Sequence, residues 1–152
     1  MKHVVAVDIG GTDIKSALVN ENFEVLSTTS TPTPKPDPTG AQTLDVIAEI
    51  VAGFSKEHTV AAVGLGVLGV FDDALGICRW SGNLGWKNFD IRDQLQARLN
   101  LPVAAGHDIR TAGVAEHRSG AAAGYQNSIF IAIGTGIAAA LVIDGAIRYS
   151  DG

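Results

Sequence analysis

One short pattern occurs twice in this chain and limits its fold more than any other feature. Sliding the sequence by 124 positions places Val7-Asp8-Ile9-Gly10-Gly11-Thr12 on Ile131-Ala132-Ile133-Gly134-Thr135-Gly136. Beyond the glycines, Ala17-Leu18-Val19-Asn20 falls on Leu141-Val142-Ile143-Asp144. Each copy reads as a strand, a Gly/Thr turn, a second strand and a closing polar turn. Glycine lets a tight turn bring backbone N–H groups together, and a threonine hydroxyl adds a donor, so such a turn can hold an anion. Two of them can hold a polyphosphate from opposite sides, whereas either alone is equally a hairpin that needs glycine for its geometry. Neither copy has the Gly-Lys-Ser/Thr ending of a Walker loop or a glycine triad that opens a helix. Gly64-Leu65-Gly66-Val67-Leu68-Gly69 has glycines of that kind, but no helical pattern follows them.

Around the two copies the pattern alternates between strand and helix. Val4–Val7, Ile14–Val19 and Phe23–Thr29 read as three consecutive strands. Four of the five prolines then fall between Thr31 and Pro38, a stiff extended connector. Leu44, Ile47, Ile50, Val51 and Phe54 recur at helical spacing, which predicts a helix over 40–57. Val60–Leu65 is a continuous apolar strand suited to a covered sheet. Residues 66–90 are rich in glycine and predict irregular structure. A helix follows on Ile91, Leu95 and Leu99, then a short strand over Pro102–Gly106 and a helix over Ile109–Arg118. Ser128–Ile133 and Ala138–Ile143 are the last two strands, closed by the Asp144-Gly145 turn. Strands that first meander and then alternate with helices predict a mixed α/β sheet flanked by helices.

Composition excludes several classes. Apolar residues reach 46% and charged residues only 18% of 152, so the chain can bury a sizeable core and is not disordered. So little charge also suits a surface that further polypeptide covers. The net charge of −5 offers no basic patch, which argues against nucleic acid and anionic membrane as partners. Cys78 is the single cysteine, so these residues hold no disulfide framework and no zinc site of paired cysteines. The longest apolar stretch, 129–143, is too short to span a bilayer and is broken by glycines. A soluble, cytoplasmic protein is expected.

At the motifs a resemblance becomes specific. Asp8-Ile9-Gly10-Gly11-Thr12 with Lys15 resembles the first phosphate motif of the actin-like sugar kinases, and Ile133-Gly134-Thr135-Gly136-Ile137 the second. Between them, Ser81-Gly82-Asn83-Leu84-Gly85-Trp86 and His107-Asp108 resemble the sugar-binding and catalytic segments of the ROK (repressor, open reading frame, kinase) family. The four motifs stand in family order across nearly the whole chain. The resemblance implies an actin-like ATPase (ribonuclease-H-like) fold: an N-terminal domain over 1–120 and the opening strands of a second, similar domain over 121–152. Family members run to roughly twice this length, so a Glu-Ile-Gly-His-like sugar contact, the cysteine-rich zinc motif and the adenosine segment are expected only in later sequence.

The resemblance implies ATP-dependent phosphorylation of a hexose hydroxyl, glucokinase-like, with small-molecule sugar and nucleotide as partners. Alternatives are an N-acetylhexosamine (ManNAc or GlcNAc) kinase, a polyphosphate donor in place of ATP, and a non-catalytic sugar-binding or regulatory protein. A repressor would carry a helix-turn-helix before the first motif, and only seven residues precede Asp8 here. The full-length protein is expected to be a homodimer. Asp108 is implied as the general base, which phosphoryl transfer to an alcohol needs. From its place before a helix it is equally an N-cap. Asp8, Gly10, Gly11, Thr12, Lys15, Gly134, Thr135 and Gly136 are implied to bind phosphate and ATP, with Asp8 holding magnesium. Asp8 as a turn cap and Lys15 as an ordinary strand lysine remain open. Asn83, His107 and Asp108 are implied to bind the sugar, although Asn83 also suits a plain turn. His107 departs from the asparagine usual before the catalytic aspartate. Trp86 is expected to pack rather than bind, and Glu116 and His117 to face out of their helix.

Overall fold

The computed structural model describes residues 2–134 and 136–149. These form two compact units, Met1–His107 and Asp108–Gly152. Each is built around its own sheet.

In the first unit, β1 (His3–Ile9), β2 (Asp13–Val19) and β3 (Val25–Pro32) form an antiparallel meander. β4 (Val60–Val67) then runs parallel to β1. β1 alternates strictly, burying His3, Val5, Val7 and Ile9 and exposing Val4, Ala6 and Asp8. The buried set continues through Ile14 and Leu18 of β2 and Val63, Leu65 and Val67 of β4. Helix α1 (Ala41–Ser55) presses Leu44, Ile47 and Val51 onto this core. Truncating a residue as enclosed as Ile47, with no exposed surface, costs about 2–5 kcal/mol. The N-terminus of α1 has no cap of its own at Gly40. Instead the buried Asp37 carboxylate accepts from the Thr43 N–H at 2.8 Å and the Thr43 hydroxyl at 2.9 Å.

The segment expected to be irregular forms a second, small sheet: β5 (Val70–Asp72), β6 (Ile77–Ser81) and β7 (Trp86–Phe89). Its strands have three to five residues, too few for alternation to stand out, and glycines at positive φ (Gly69, Gly76 and Gly85) punctuate them. Trp86 is 1% exposed and donates its indole N–H to the Asp37 carbonyl at 2.9 Å, so it packs as expected. Helix α2 (Ile91–Leu99) is capped by Asp90. β8 (Val103–His107) completes the main sheet, whose order is β3-β2-β1-β4-β8. The glycines of 64–69 lie on β4 and in the turn after it, with no helix opening there.

The second unit contains α3 (Asp108–Ser119) and the hairpin of β9 (Ser128–Ile133) and β10 (Ile137–Ile143), extended by the short β11 (Ala146–Ile147). Gly113 allows the close approach of helix and hairpin, because a Cβ there would meet the Ala140 Cβ at 2.7 Å. The division of contacts therefore falls between His107 and Asp108, where the sequence pattern places a boundary at 120/121. The difference is α3, which packs on β9 and β10.

Candidate functional site

The Gly10–Thr12 turn joins β1 to β2, and antiparallel pairing sets Asp8 opposite Lys15. Both side chains are exposed, because they lie on the face of the sheet away from the Val5–Val7–Ile9 core. The turn closes when the Gly10 N–H donates to the Asp13 carbonyl at 3.0 Å. A side chain at Gly10 would meet backbone, and one at Gly11 would have to displace Asn83. A Cβ on Gly10 would sit 2.8 Å from the Asp13 carbonyl oxygen, and one on Gly11 2.8 Å from the Asn83 amide nitrogen. Asn83 thus packs on the phosphate-type turn although it comes from the β6–β7 turn. That turn is held where the Gly85 N–H donates to the Ser81 carbonyl at 2.9 Å and where Leu84 is fully buried.

The proline-rich connector braces the same turn. The Thr33 N–H donates to the Thr12 carbonyl at 2.8 Å, and the buried Thr33 hydroxyl donates to the Gly10 carbonyl at 2.8 Å. Lys35 Nζ donates to the Gly11 carbonyl at 2.7 Å. An ammonium group therefore sits on the turn itself. Neither Thr33 nor Lys35 belongs to the motif. A signal was present all the same, because the alternation of proline from 32 to 38 leaves these two as the main side-chain donors of a rigid segment.

His107 ends β8, and its backbone N–H donates to Asp73 Oδ1 at 3.1 Å. In the second unit Asp108 opens α3 and is partly buried. Its Oδ1 accepts from the Ile109 N–H at 2.8 Å, and its carbonyl accepts from the Thr111 hydroxyl at 2.7 Å. The short contact to the next N–H holds the carboxylate at the first turn of the helix. His117 contacts the Ser128 hydroxyl at 3.1 Å, so it turns to β9 and not outward as expected. Glu116 accepts from the Ala121 N–H at 2.9 Å beyond the helix end. In the β9–β10 turn the Gly134 N–H donates to the Gly136 carbonyl at 2.9 Å. A Cβ on either glycine meets no described atom within 4 Å. Thr135 lies outside the described residues.

The first unit thus brings Asp8, Gly10, Gly11, Thr12 and Lys15 together with Asn83. Gly134 and Gly136 share the hairpin turn of the second unit, and Asp108 stands at the start of its helix. Backbone donors at a glycine turn with an ammonium beside it suit a phosphate chain. An exposed carboxylate at the strand end suits its divalent counter-ion. No group of three or more His, Cys, Asp and Glu poised for a metal occurs among the described residues. No helix among them is long and apolar enough to cross a membrane.

Comparison with known proteins adds independent information. The family model described as "ROK family" matches residues 4–150. A glucokinase of Streptomyces coelicolor is 33% identical over 144 residues, covering 95% of this chain and 44% of that protein. A ROK family glucokinase from Streptomyces griseus, solved with glucose and AMPPNP, superposes with a TM-score of 0.86 at 36% identity, over 96% of this chain and 46% of that one. An inorganic polyphosphate/ATP-glucomannokinase from Arthrobacter sp. strain KM superposes with a TM-score of 0.84 at 33% identity, over 97% of this chain and 60% of that one. The chain spans less than half the length of the curated glucokinases it matches. Its mixed sheet and helices are those of the actin-like sugar kinases.

Proposed function

Because the chain belongs to the ROK family, we propose that its protein transfers the γ-phosphoryl group of ATP to a hydroxyl of a hexose, with Asp108 as general base. The observation that carries this reading is the braced Gly10–Thr12 turn. Gly10 is closed to a side chain by backbone, Asn83 packs on Gly11, and Lys35 is held on the Gly11 carbonyl. The similar glucokinase that holds glucose and AMPPNP supports nucleotide and sugar as the ligands.

In this reading backbone N–H groups of the Gly10–Thr12 turn cradle the phosphate chain, and Gly134 and Gly136 are phosphate-binding residues as well. Lys35 and Lys15 offset the charge of the phosphates, and Asp8 is the residue that would hold magnesium. A bound magnesium ion would supply charge neutralisation on the phosphates. Asn83 and His107 orient the sugar. The Asp108 carboxylate accepts the proton of the attacking hydroxyl as the new O–P bond forms and ADP leaves. Its bond to the Ile109 N–H orients that carboxylate at the start of α3.

The full-length protein should phosphorylate glucose in the presence of ATP, read as ADP release across a panel of hexoses. Asp108→Asn keeps the shape and removes the base, so turnover should fall by roughly 10²–10⁴ with nucleotide binding intact. Near-normal turnover of this variant on every sugar would overturn the assignment. The resemblance to a polyphosphate/ATP-glucomannokinase makes polyphosphate the second donor to test. Replacing His107 by asparagine should change the relative efficiencies among glucose, mannose and the N-acetylhexosamines. Superimposable profiles would place His107 outside the sugar site.

A further inference from the structure

The kinase reading leaves one feature of the first unit unused. Between β3 and α1 lies an open trough of about 510 Å³. Its sheet side is formed by the hydroxyls of Ser27, Thr29 and Thr31, which pair in register with Leu18, Ser16 and Ile14 and so share the face that α1 covers. Its floor is Val46, Ile50 and Phe54, and Glu49 and Glu57 stand on its helical side. Val46, Glu49, Ile50, Gly53 and Phe54 differ in position by the steps that put residues on one face of α1, and Glu57 and His58 follow in the turn past its end. The trough therefore runs along the length of both elements.

Two further observations point to an occupant. β3 is the edge of the main sheet, eight residues long and without a charged side chain. Natural edge strands are usually blunted by lysine, proline or a bulge. Here the register irregularity lies at Val19–Val25 and the proline at Pro32, so Ser27–Thr31 between them is unprotected. Gly53 is the second observation. It lies inside α1, where glycine costs roughly 1 kcal/mol relative to alanine, yet a Cβ there meets nothing within 4 Å. Nothing within the described chain requires a glycine at that point, and it opens directly on the trough.

We propose that β3 and α1 form a docking groove for an extended segment of a partner protein. That segment adds a strand beside β3 and sends a basic, an apolar and a basic side chain into the trough at every second position. Main-chain hydrogen bonds to the open edge supply affinity, and the trough selects the side chains. The two carboxylates flank the floor, Glu49 on α1 and Glu57 in the turn just past its end at Ser55. Alternate residues of a strand share one face, so basic side chains on that face of the added strand meet the carboxylates, and an apolar one between them meets Ile50, Phe54 and the gap at Gly53. A second copy of this chain fits less well. Pairing β3 with itself would bring Glu49 and Glu57 toward their own counterparts, with no basic residue on either strand to offset them.

The proposal does not rest on the kinase reading and is tested apart from it. The probe is the labelled peptide Thr-Lys-Thr-Val-Thr-Lys-Thr, titrated into the full-length chain by fluorescence anisotropy. Amide hydrogen exchange across 25–32 is followed in parallel. Binding should protect the β3 amides, and the same peptide with glutamate for lysine should bind at least tenfold more weakly. Gly53→Met puts a side chain into the trough, so it should weaken the lysine peptide at least tenfold with hexose phosphorylation unchanged and Tm unchanged or raised. Glu49→Lys with Glu57→Lys should reverse the preference toward the glutamate peptide. No protection of β3, equal affinity for both peptides, or indifference to Gly53→Met would overturn the proposal. Peptide-independent self-association that β3 amides report would assign the edge to a second copy instead.

Discussion

The two glycine turns share a sequence pattern and are finished in opposite ways. The turn at Gly10–Thr12 stands at the rim of an enclosed core, and Thr33, Lys35 and Asn83 close on it from two other segments. The turn at Gly134–Gly136 tips a hairpin with one packed face and one bare face. Ala140 and Val142 are buried toward α3, while Ile129, Ile131, Ile133, Ile137, Leu141 and Ile143 are 39–80% exposed. A local repeat therefore reports the path of the backbone and not its surroundings. The first turn is set by tertiary contacts present in this chain, and the second is set by its own hairpin.

Substituting equivalent glycines is the hardest test of that contrast. Gly10→Ala forces a methyl group against a backbone carbonyl, which cannot move away as a flexible side chain would. We expect a loss of about 2–4 kcal/mol in stability and at least a hundredfold fall in hexose phosphorylation. Gly134→Ala meets open space, so its stability should change by less than about 0.5 kcal/mol. Equal losses in urea titrations of the two variants would break the comparison.

A second consequence concerns the bare face. Contiguous isoleucine on a sheet attracts a cover, at about 25 cal/mol per Å² of apolar surface buried. The 152-residue chain by itself should associate in sedimentation velocity and show no sugar-dependent ADP release. Ile133→Lys with Ile137→Lys, at two positions 80% and 78% exposed, should restore a monomer. A monodisperse parent chain would show that the face is harmless.

The enclosed core carries its own pH signature. Cys78 is fully buried, and burial raises its thiol from the ordinary 9.0 to about 11. The unfolded thiol ionises near 9 while the folded one stays neutral, so stability is full below pH 9 and falls as pH rises toward 11. The loss should reach about 2 kcal/mol, and Cys78→Ala should flatten that part of the pH–stability curve. Identical alkaline slopes for parent and variant would show that the thiol is reached by water.

The four long strands of the main sheet and the helices were legible because their pattern runs for seven or more residues, as in the strict alternation of His3–Ile9. The sheet at 70–89 was not, since strands of three to five residues leave no period to detect. Asp8, Gly10, Gly11 and Thr12 were legible as one turn because they are contiguous. The proline alternation singles out Lys35 as a donor, but its target was not legible, because it reaches Gly11 from 24 positions away through a bend that only the folded connector defines. The sequence pattern sets its boundary after α3 whereas the contacts divide before it, and the reason is similar. Helical spacing shows that residues 109–118 form a helix, but not which sheet it covers, and the notch at Gly113 that admits Ala140 is visible only in three dimensions.

The smallest effect probes the brace itself. Thr33 is 5% exposed and uses both its backbone N–H and its hydroxyl on the first turn. Thr33→Val keeps the shape and the backbone bond to Thr12 but leaves the Gly10 carbonyl without its hydroxyl donor. The expected cost is about 1 kcal/mol, a few degrees in Tm for a unit of this size. If the brace also positions the turn for phosphate, KM for ATP should rise several-fold with kcat nearly unchanged. Thr33→Ser, which restores the donor, should recover KM even where it does not recover Tm. A Thr33→Val protein with parental Tm and KM would mean that the first turn, like the second, is held by its hairpin alone.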